Sequence, residues 1–292
     1  MEKTILILNP AASRGTAFKE KEKIENVLKE NNIKSDIYIS NSALDIVNAT
    51  DKFIKQGYKN FIGAGGDGTI HYITQKLAGT QCNLGIISIG SGNDLIKSFG
   101  IKQGIEENIN IIKNCNVKRI DLGLFNDKVY YMGVAGSGFD SEVTRFANET
   151  KLPLNGKAKY NFSVYKTLLT FKPRIFNIKH DDENESINTM MMVVSNLKYY
   201  GGGMEITPYA DPFDSKFDVC IIGAMPLLKF IKSFPSVYAG THLSIPCVKY
   251  FKANTVQIDC VRKFDVYGDG EYMGKLPGDF KIIPSCLNVF LP

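Results

Sequence analysis

The sequence predicts an α/β N-terminal domain built on a parallel sheet, followed by an all-β antiparallel sandwich as C-terminal domain. Two textures carry this reading. Up to about residue 119, short apolar runs alternate with helical periodicities; beyond it, strand-like runs follow one another between Gly, Pro, Asn and Asp turns. Strands parted by helices require crossovers, which give a parallel sheet covered on both faces. Strand–turn–strand texture gives a sandwich or barrel. At 292 residues the chain is long enough for two cores. The textures divide it into 1–122 and 123–292, with the boundary between Asn116 and Phe125 and a last strand able to return toward the first domain.

Ile5 to Leu8 form the first apolar strand, and "FKEKEKIENVLKENN" then places Ile24, Val27 and Leu28 on one helical face. "SDIYIS" alternates as a strand, and "ALDIVNATDKFIKQG" returns to helical spacing with Gly57 as its C-terminal stop. "NFIGA" and "NLGIISIG" are buried strands on either side of another helix. In the second half "RIDLGLF", "KVYYMGVA", "TMMMVVSN", "FDVCIIG", "TVQID", "KFDVYG" and "SCLNVFLP" are strand-like. Helices are expected at Lys157 to Phe171 and Leu227 to Ala239, and "HDDENES" is expected as a solvated hairpin tip.

Composition is that of an ordinary globular chain, and a net charge of +5 suits anionic substrates or a membrane surface without pointing to nucleic acid. Cys82, Cys115, Cys220, Cys247, Cys260 and Cys286 are scattered, with no CxxC pair and no His at metal-ligand spacing. They are expected to be free buried thiols in a reducing cytoplasm. The opening "MEKTILILNP" is too short for a signal-peptide core, and no run approaches the roughly 18 apolar residues of a membrane span. A cytoplasmic protein, at most touching a membrane, is the expectation.

Three loops fall at the carboxyl ends of predicted parallel strands, where open sheets bind ligands. They are "NPAASRG" at Asn9 to Gly15, "GGDGT" at Gly65 to Thr69, and "GSGND" at Gly90 to Asp94. Glycines let backbone N–H groups approach an anion while the next helix aims its positive end at it. Asp67 is out of place in a pure phosphate cradle; it implies Mg²⁺, a hydroxyl partner or a helix N-cap. No G-x-x-x-x-G-K-[ST] occurs, and "GSGFDS" at Gly136 lacks the third glycine of a dinucleotide fingerprint. "VYGDGEYMG" offers Asp269 and Glu271 around a glycine, either as carboxylates for acid–base work or as a hairpin turn.

The ordered set "NPAASRG", "GGDGT", "GSGND" and the late "DGE" at Asp269 to Glu271 resembles the diacylglycerol kinase catalytic-domain family, with its bacterial soluble lipid kinases and sphingosine kinases. The resemblance spans nearly the whole chain, whereas GGDG alone is shared with NAD kinases and phosphofructokinases. It implies an N-terminal domain of NAD kinase/phosphofructokinase-like fold, a C-terminal sandwich that holds the lipid, and ATP with Mg²⁺ between them. By the resemblance, Asn9, Pro10, Ala11, Ala12, Ser13, Ser40, Gly65, Gly66, Asp67, Gly68, Thr69, Ser91, Asn93 and Asp94 are the nucleotide-side residues. Asp94 belongs to the Mg²⁺ and phosphate network, Asp269 is the general base, and Glu271 a supporting acceptor. "ADPFDSKFDV" stands where relatives carry a structural Mg²⁺ loop, which by the resemblance makes Asp214 its side-chain ligand with the backbones of Asp211 and Lys216; a solvated turn is the other reading. The chain departs from the family at Ser88 (usually Pro), Ser91 (usually Thr) and His71 (usually Asn).

Thr150 to His180 holds seven basic and no acidic residues, interleaved with Leu152, Leu154, Phe162, Tyr165, Leu168, Leu169 and Phe171. Such a segment suits a peripheral contact with an anionic bilayer, or is a core helix with solvated lysines. "NLKYYGGGMEITPYA", Asn196 to Ala210, resembles a family segment on the lipid side. The reading is therefore an ATP- and Mg²⁺-dependent lipid kinase acting on diacylglycerol or a related lipid at a membrane surface, with a homodimer possible through an edge strand. The alternatives are an NAD kinase-like enzyme and a catalytically silent nucleotide- or lipid-binding regulator.

Overall fold

The computed structural model describes residues 2–15, 17–90, 92–150 and 156–292, with side chains except at positions 13, 14, 156–158, 160 and 161. The first part runs β1 (Thr4–Leu8), α1 (Lys21–Glu30), β2 (Asp36–Ile39), α2 (Ala43–Lys55), β3 (Asn60–Gly65), α3 (Asp67–Leu77), β4 (Asn83–Ser88), α4 (Asp94–Ser98) and α5 (Ile105–Lys113). Strands β4, β3, β1 and β2 pair in that order and all in parallel. This is the expected covered sheet. Ile5, Leu6, Ile7 and Leu8 are all buried because helices close both faces, so the strand shows no alternation. Ile24, Val27 and Leu28 are the buried face of α1, as their spacing requires.

The second part begins with β5 (Val117–Phe125), β6 (Val129–Tyr131) and β7 (Val134–Gly138), then α6 (Phe139–Glu149) and α7 (Gly156–Thr170). It continues through β8 (Arg174–His180), β9 (Glu183–Ser195), β10 (Tyr199–Tyr200), β11 (Met204–Glu205), β12 (Phe217–Gly223) and α8 (Leu227–Tyr238). It ends with β13 (Val248–Ala253), β14 (Thr255–Asp259), β15 (Asp265–Gly268), β16 (Glu271–Lys275) and β17 (Gly278–Phe290). Met192 and Val194 of β9, with Val219 and Ile221 of β12, point into the sandwich core beside Phe176, Phe217 and Phe280. Their neighbours Met191, Val193, Cys220 and Ile222 face the other way, under α6, α7 and α8. Both faces are covered, which explains the unbroken apolar "TMMMVVS".

β17 joins the two parts. It pairs antiparallel with β14 and β5, and its end runs parallel to β4 at Asn288↔Asn83 and Val289↔Leu84. Helix α6 was not expected from the sequence: it opens directly at a glycine, and its apolar signal is the short series Phe139, Val143, Phe146. The cysteines are free, but Cys115 is exposed and Cys247 half-buried, against the expectation that all six are buried. Cys115 follows the end of α5 with φ +52°, in the turn into β5, where nothing covers it. No helix among the described residues is long and apolar enough to cross a membrane.

Candidate functional site

The three glycine-rich loops emerge together at the carboxyl edge of the parallel sheet. Asn9 follows β1, and its Nδ2 donates to Thr69 Oγ1 at 3.0 Å while its Oδ1 accepts the Ala11 N–H at 3.1 Å. One side chain thus fixes the first loop and ties it to the start of α3. Ser40, at the end of β2, is buried and donates its hydroxyl to Leu8 O. At Gly65 a Cβ would collide with the Thr69 side chain, and at Gly90 it would come within 2.8 Å of Gly66 Cα. Gly65 thus lets Thr69 fold back against the end of β3, and Gly90 lets the third loop press on the second.

The loops wall a cleft of about 550 Å³. Asn9, Pro10, Ala11, Ala12, Ser40, Gly66, Asp67, Gly68, Thr69 and Glu271 line it, all of them expected from the sequence. The N-termini of α2 and α3 point into it, so backbone N–H groups supply a positive field. Gly65 lies one residue deeper, in β3. Asn93 and Asp94 sit behind the wall, buried at the start of α4. Ser91 lies outside the described residues, as does the Ser13 side chain. Gly90 and Gly92 of the third expected loop also line the cleft, whereas sequence reasoning missed Asn41, Ser42, Ala43, Ile46 and Tyr72. The Ser42–Asp45 pair, in which Ser42 Oγ accepts the Asp45 N–H and caps α2, was the available signal for the first four.

Asp67 opens α3 and accepts the Asp94 N–H at 3.1 Å and the Leu95 N–H at 3.4 Å. It holds the third loop to the second. Burial pushes its carboxyl up to about 6; the N–H groups of Asp94 and Leu95 oppose the rise, and the carboxylates of Asp94 and Asp269 add to it. Asp94 is likewise pushed up, first by burial, and its Oδ1 has no hydrogen-bond partner among the described residues. Its Oδ2 accepts the Gly202 N–H at 2.8 Å. That donor comes from the triple-glycine turn between β10 and β11, where Gly201, Gly202 and Gly203 all have positive φ. Lys97 grips the same turn through Gly203 O at 3.2 Å and lies over the Tyr199 ring. The positive φ of these glycines thus turns the second part's backbone so that it meets Asp94 and Lys97 beside the third glycine-rich loop.

Asp269 and Gly270 are the two-residue turn of the β15–β16 hairpin, both at positive φ. The turn reading and the site reading describe the same residues. Asp269 is directed inward: Oδ2 accepts the Met132 N–H at 2.9 Å, Oδ1 accepts the Gly133 N–H at 2.8 Å, and His71 Nδ1 lies 3.2 Å from Oδ2. Its side chain is only 1% exposed and does not line the cleft. Glu271 turns the other way, over Gly68, with Tyr72 donating to its Oε2 at 2.6 Å. The two carboxylates divide between the buried seam and the open cleft.

Asp211, Asp214 and Lys216 lie away from this cleft. Asp211 Oδ1 accepts the Phe213 N–H and Asp214 Oδ1 the Lys216 N–H, each at 3.0 Å. Lys252 Nζ stands 2.6 Å from Asp214 Oδ2 and 3.1 Å from Asp218 Oδ2, so the positive charge against Asp214 here is an ammonium. Among the described residues no three His, Cys, Asp or Glu side chains group to hold a metal ion.

Residues 3–125 match the family model described as the diacylglycerol kinase catalytic domain, and residues 133–291 that described as the YegS C-terminal NAD kinase beta sandwich-like domain. The chain belongs to the diacylglycerol kinase family. A diacylglycerol kinase of Mycobacterium tuberculosis (strain CDC 1551 / Oshkosh) is 28% identical over 296 residues, covering 99% of this chain and 95% of its own. YtlR of Bacillus subtilis (strain 168), provisionally named a lipid kinase, is 31% identical over 248 residues, 79% of this chain and 80% of its own. A crystal structure of a diacylglycerol kinase from Bacillus anthracis str. Sterne aligns over 100% of this chain and 97% of its own at TM-score 0.77 and 20% identity. At that identity the last match bears on the fold alone. This kinase-family member thus has an α/β first part and a sandwich-like second part, as its sequence texture predicts.

Proposed function

We propose that the chain transfers the γ-phosphoryl group of ATP to the hydroxyl of diacylglycerol or a closely related lipid. The observation that carries this is the cleft itself. Glycine-rich loops from the first part wall one opening that Glu271 of the second part faces, and Asp269 of the same hairpin is buried behind it, 3.2 Å from His71 of α3.

The N–H groups at the starts of α2 and α3, with Thr69 and Asn9, bind and orient the phosphates. The residues fit a divalent cation: Asp94 Oδ1 is buried without a partner among the described residues, and burial, with the neighbouring carboxylates of Asp94 and Asp269, raises the Asp67 carboxyl to about 6, a penalty a cation would relieve. Asp67 and Asp94 would hold Mg²⁺, which in kinases takes one or two carboxylates and completes its shell with phosphate and water. Mg²⁺ there supplies neutralisation of phosphate charge. The alcohol proton passes to Asp269 as the alcohol oxygen bonds to phosphorus and the bond to the leaving diphosphate breaks. Leu95 and Leu197 crowd Gly133 beside Asp269 Oδ1, so the oxygen lies in apolar surroundings. A second reading gives the proton to Glu271, because Glu271 lines the cleft and Asp269 does not.

The acceptor's membrane is met by α7 and α8, which cover the same outer face of the sheet through Phe139, stacked edge-on to both Phe171 and Phe230. Tyr165 and Leu169 on α7 and Leu228 and Ile231 on α8 are exposed beside Lys166, Lys229 and Lys232. No acidic residue occurs in 150–180 or 219–258, so this face suits an anionic bilayer. Incubation with labelled ATP, Mg²⁺ and mixed lipid micelles tests the activity. Labelled lipid is expected; conversion of NAD to NADP with no labelled lipid would overturn it.

A further inference from the structure

His71 lies on α3 at its seam with the second part, and its surroundings give it work to do. His71 and Gln75 are four residues apart on α3, on the face turned toward the second part, whereas Tyr72 faces the cleft. The Gln75 amide is fixed at two points by one backbone unit: Oε1 accepts the Tyr130 N–H at 3.0 Å, and Nε2 donates to Tyr130 O at 2.7 Å. Its remaining N–H is directed at His71, toward O at 3.0 Å and toward Nε2 at 3.4 Å. Asp269 Oδ2, a carboxylate oxygen 3.2 Å from Nδ1, accepts a ring proton there, and the Gln75 N–H, shared between His71 O and Nε2, favours a lone pair on Nε2.

This accounts for three of Asp269's lone-pair sites. Oδ2 takes the Met132 N–H and the His71 Nδ1–H, and Oδ1 takes the Gly133 N–H. The open lone pair is on Oδ1, the oxygen beside Leu95 and Gly133. We propose that His71, held in the Nδ1–H tautomer by Gln75, is a positioning residue that turns Asp269 so that Oδ1 meets the acceptor alcohol. The inference rests on Asp269 being the proton acceptor. His71 touches neither substrate; it acts by fixing which oxygen is free and by keeping it stationary.

The test begins without any activity. The chain has three histidines, so long-range ¹H–¹⁵N correlation on the full protein, with the His71 signal identified by its loss in His71→Phe, reads the ring directly. A proton on Nδ1 and a bare Nε2 are expected; a proton on Nε2 overturns the proposal. In turnover, His71→Phe is expected to lower kcat roughly 100-fold, the cost of a misplaced group, with KM for ATP unchanged. His71→Asn keeps an N–H donor on a shorter stem and should recover part of that loss. Gln75→Glu, which presents an acceptor to Nε2, should move or add a ring proton and lower kcat in parallel. A folded His71→Phe or Gln75→Glu protein with unchanged kcat sinks the proposal. If the tautomer is as expected but Asp269→Asn keeps full turnover, the functional reading fails and the hydrogen-bond network stands.

Discussion

The phenol of Tyr72 donates to Glu271 Oε2 at 2.6 Å, tying helix α3 to a strand 199 positions away in the chain. Burial, then the carboxylate of Glu271, holds the phenol's proton far above its ordinary range, so the tie persists at any working pH. Tyr72→Phe removes only the hydroxyl. A hydrogen bond to a charged group is worth about 1.5–3 kcal/mol, so kcat/KM is expected to fall roughly tenfold or more as Glu271 loosens over Gly68. Steady-state kinetics with ATP varied checks this; an unchanged kcat/KM would mean that Glu271 needs no such hold.

Asp140 makes stability depend on pH. Its carboxyl is enclosed at the start of α6, Oδ1 lacks a partner, and burial pushes it up to about 7 against the opposing N–H groups of Ser141 and Asp140. The folded-state value lies above the unfolded one, so the folded state binds the proton more tightly. Stability is therefore favoured below about pH 4 and is lost as pH rises from about 4 to 7, by a few kcal/mol at most. Asp140→Asn is expected to raise the thermal midpoint at pH 8 and to change it little at pH 4. Melting curves at the two pH values decide.

Lys252 neutralises Asp214 and Asp218, and Tyr250 also donates to Asp218. Lys252→Met leaves the Asp218 carboxyl buried beside Asp214 with no cation, and part of the cost of an unpaired buried charge is expected, about 2 kcal/mol at pH 7. Denaturant titration should show the midpoint falling. No change would mean that another cation holds the Asp214 loop.

The outward face of α7 and α8 is expected to carry bilayer affinity. Leu228→Glu with Ile231→Glu should reduce sedimentation with phosphatidylglycerol vesicles at least tenfold and leave activity on a detergent-solubilised short-chain acceptor near normal. Equal binding to neutral and anionic vesicles would contradict a role for the lysines.

The parts of the molecule that were legible in the sequence are those set by local chemistry. Gly66, Gly68 and Asp67 announce a strand–turn–helix phosphate loop, and Asp269–Gly270 announces a hairpin turn that the structure contains. The rest depends on contacts between distant positions. Nothing near Tyr72 or Gln75 marks them as partners of Glu271 and Tyr130, because α3 meets those strands only after β17 has joined the two sheets. The inward aim of Asp269 also escapes the sequence, since a left-handed turn residue can point either way until the Met132 and Gly133 N–H groups fix it. At Asp214 the acidic pattern was visible, but its lysine partner lies 38 positions on.

In the proposed reaction Asp269 serves the acceptor while the loops around Asp67 serve the donor. Transfer of label from ATP to diacylglycerol in mixed micelles, measured for the unmodified protein and for Asp269→Asn, tests it most directly. The unmodified protein should label the lipid, and Asp269→Asn should lower kcat by about three orders of magnitude with KM for ATP within a few-fold of its original value. Full turnover by Asp269→Asn would contradict the account and pass the proton to Glu271 on the open side of the cleft.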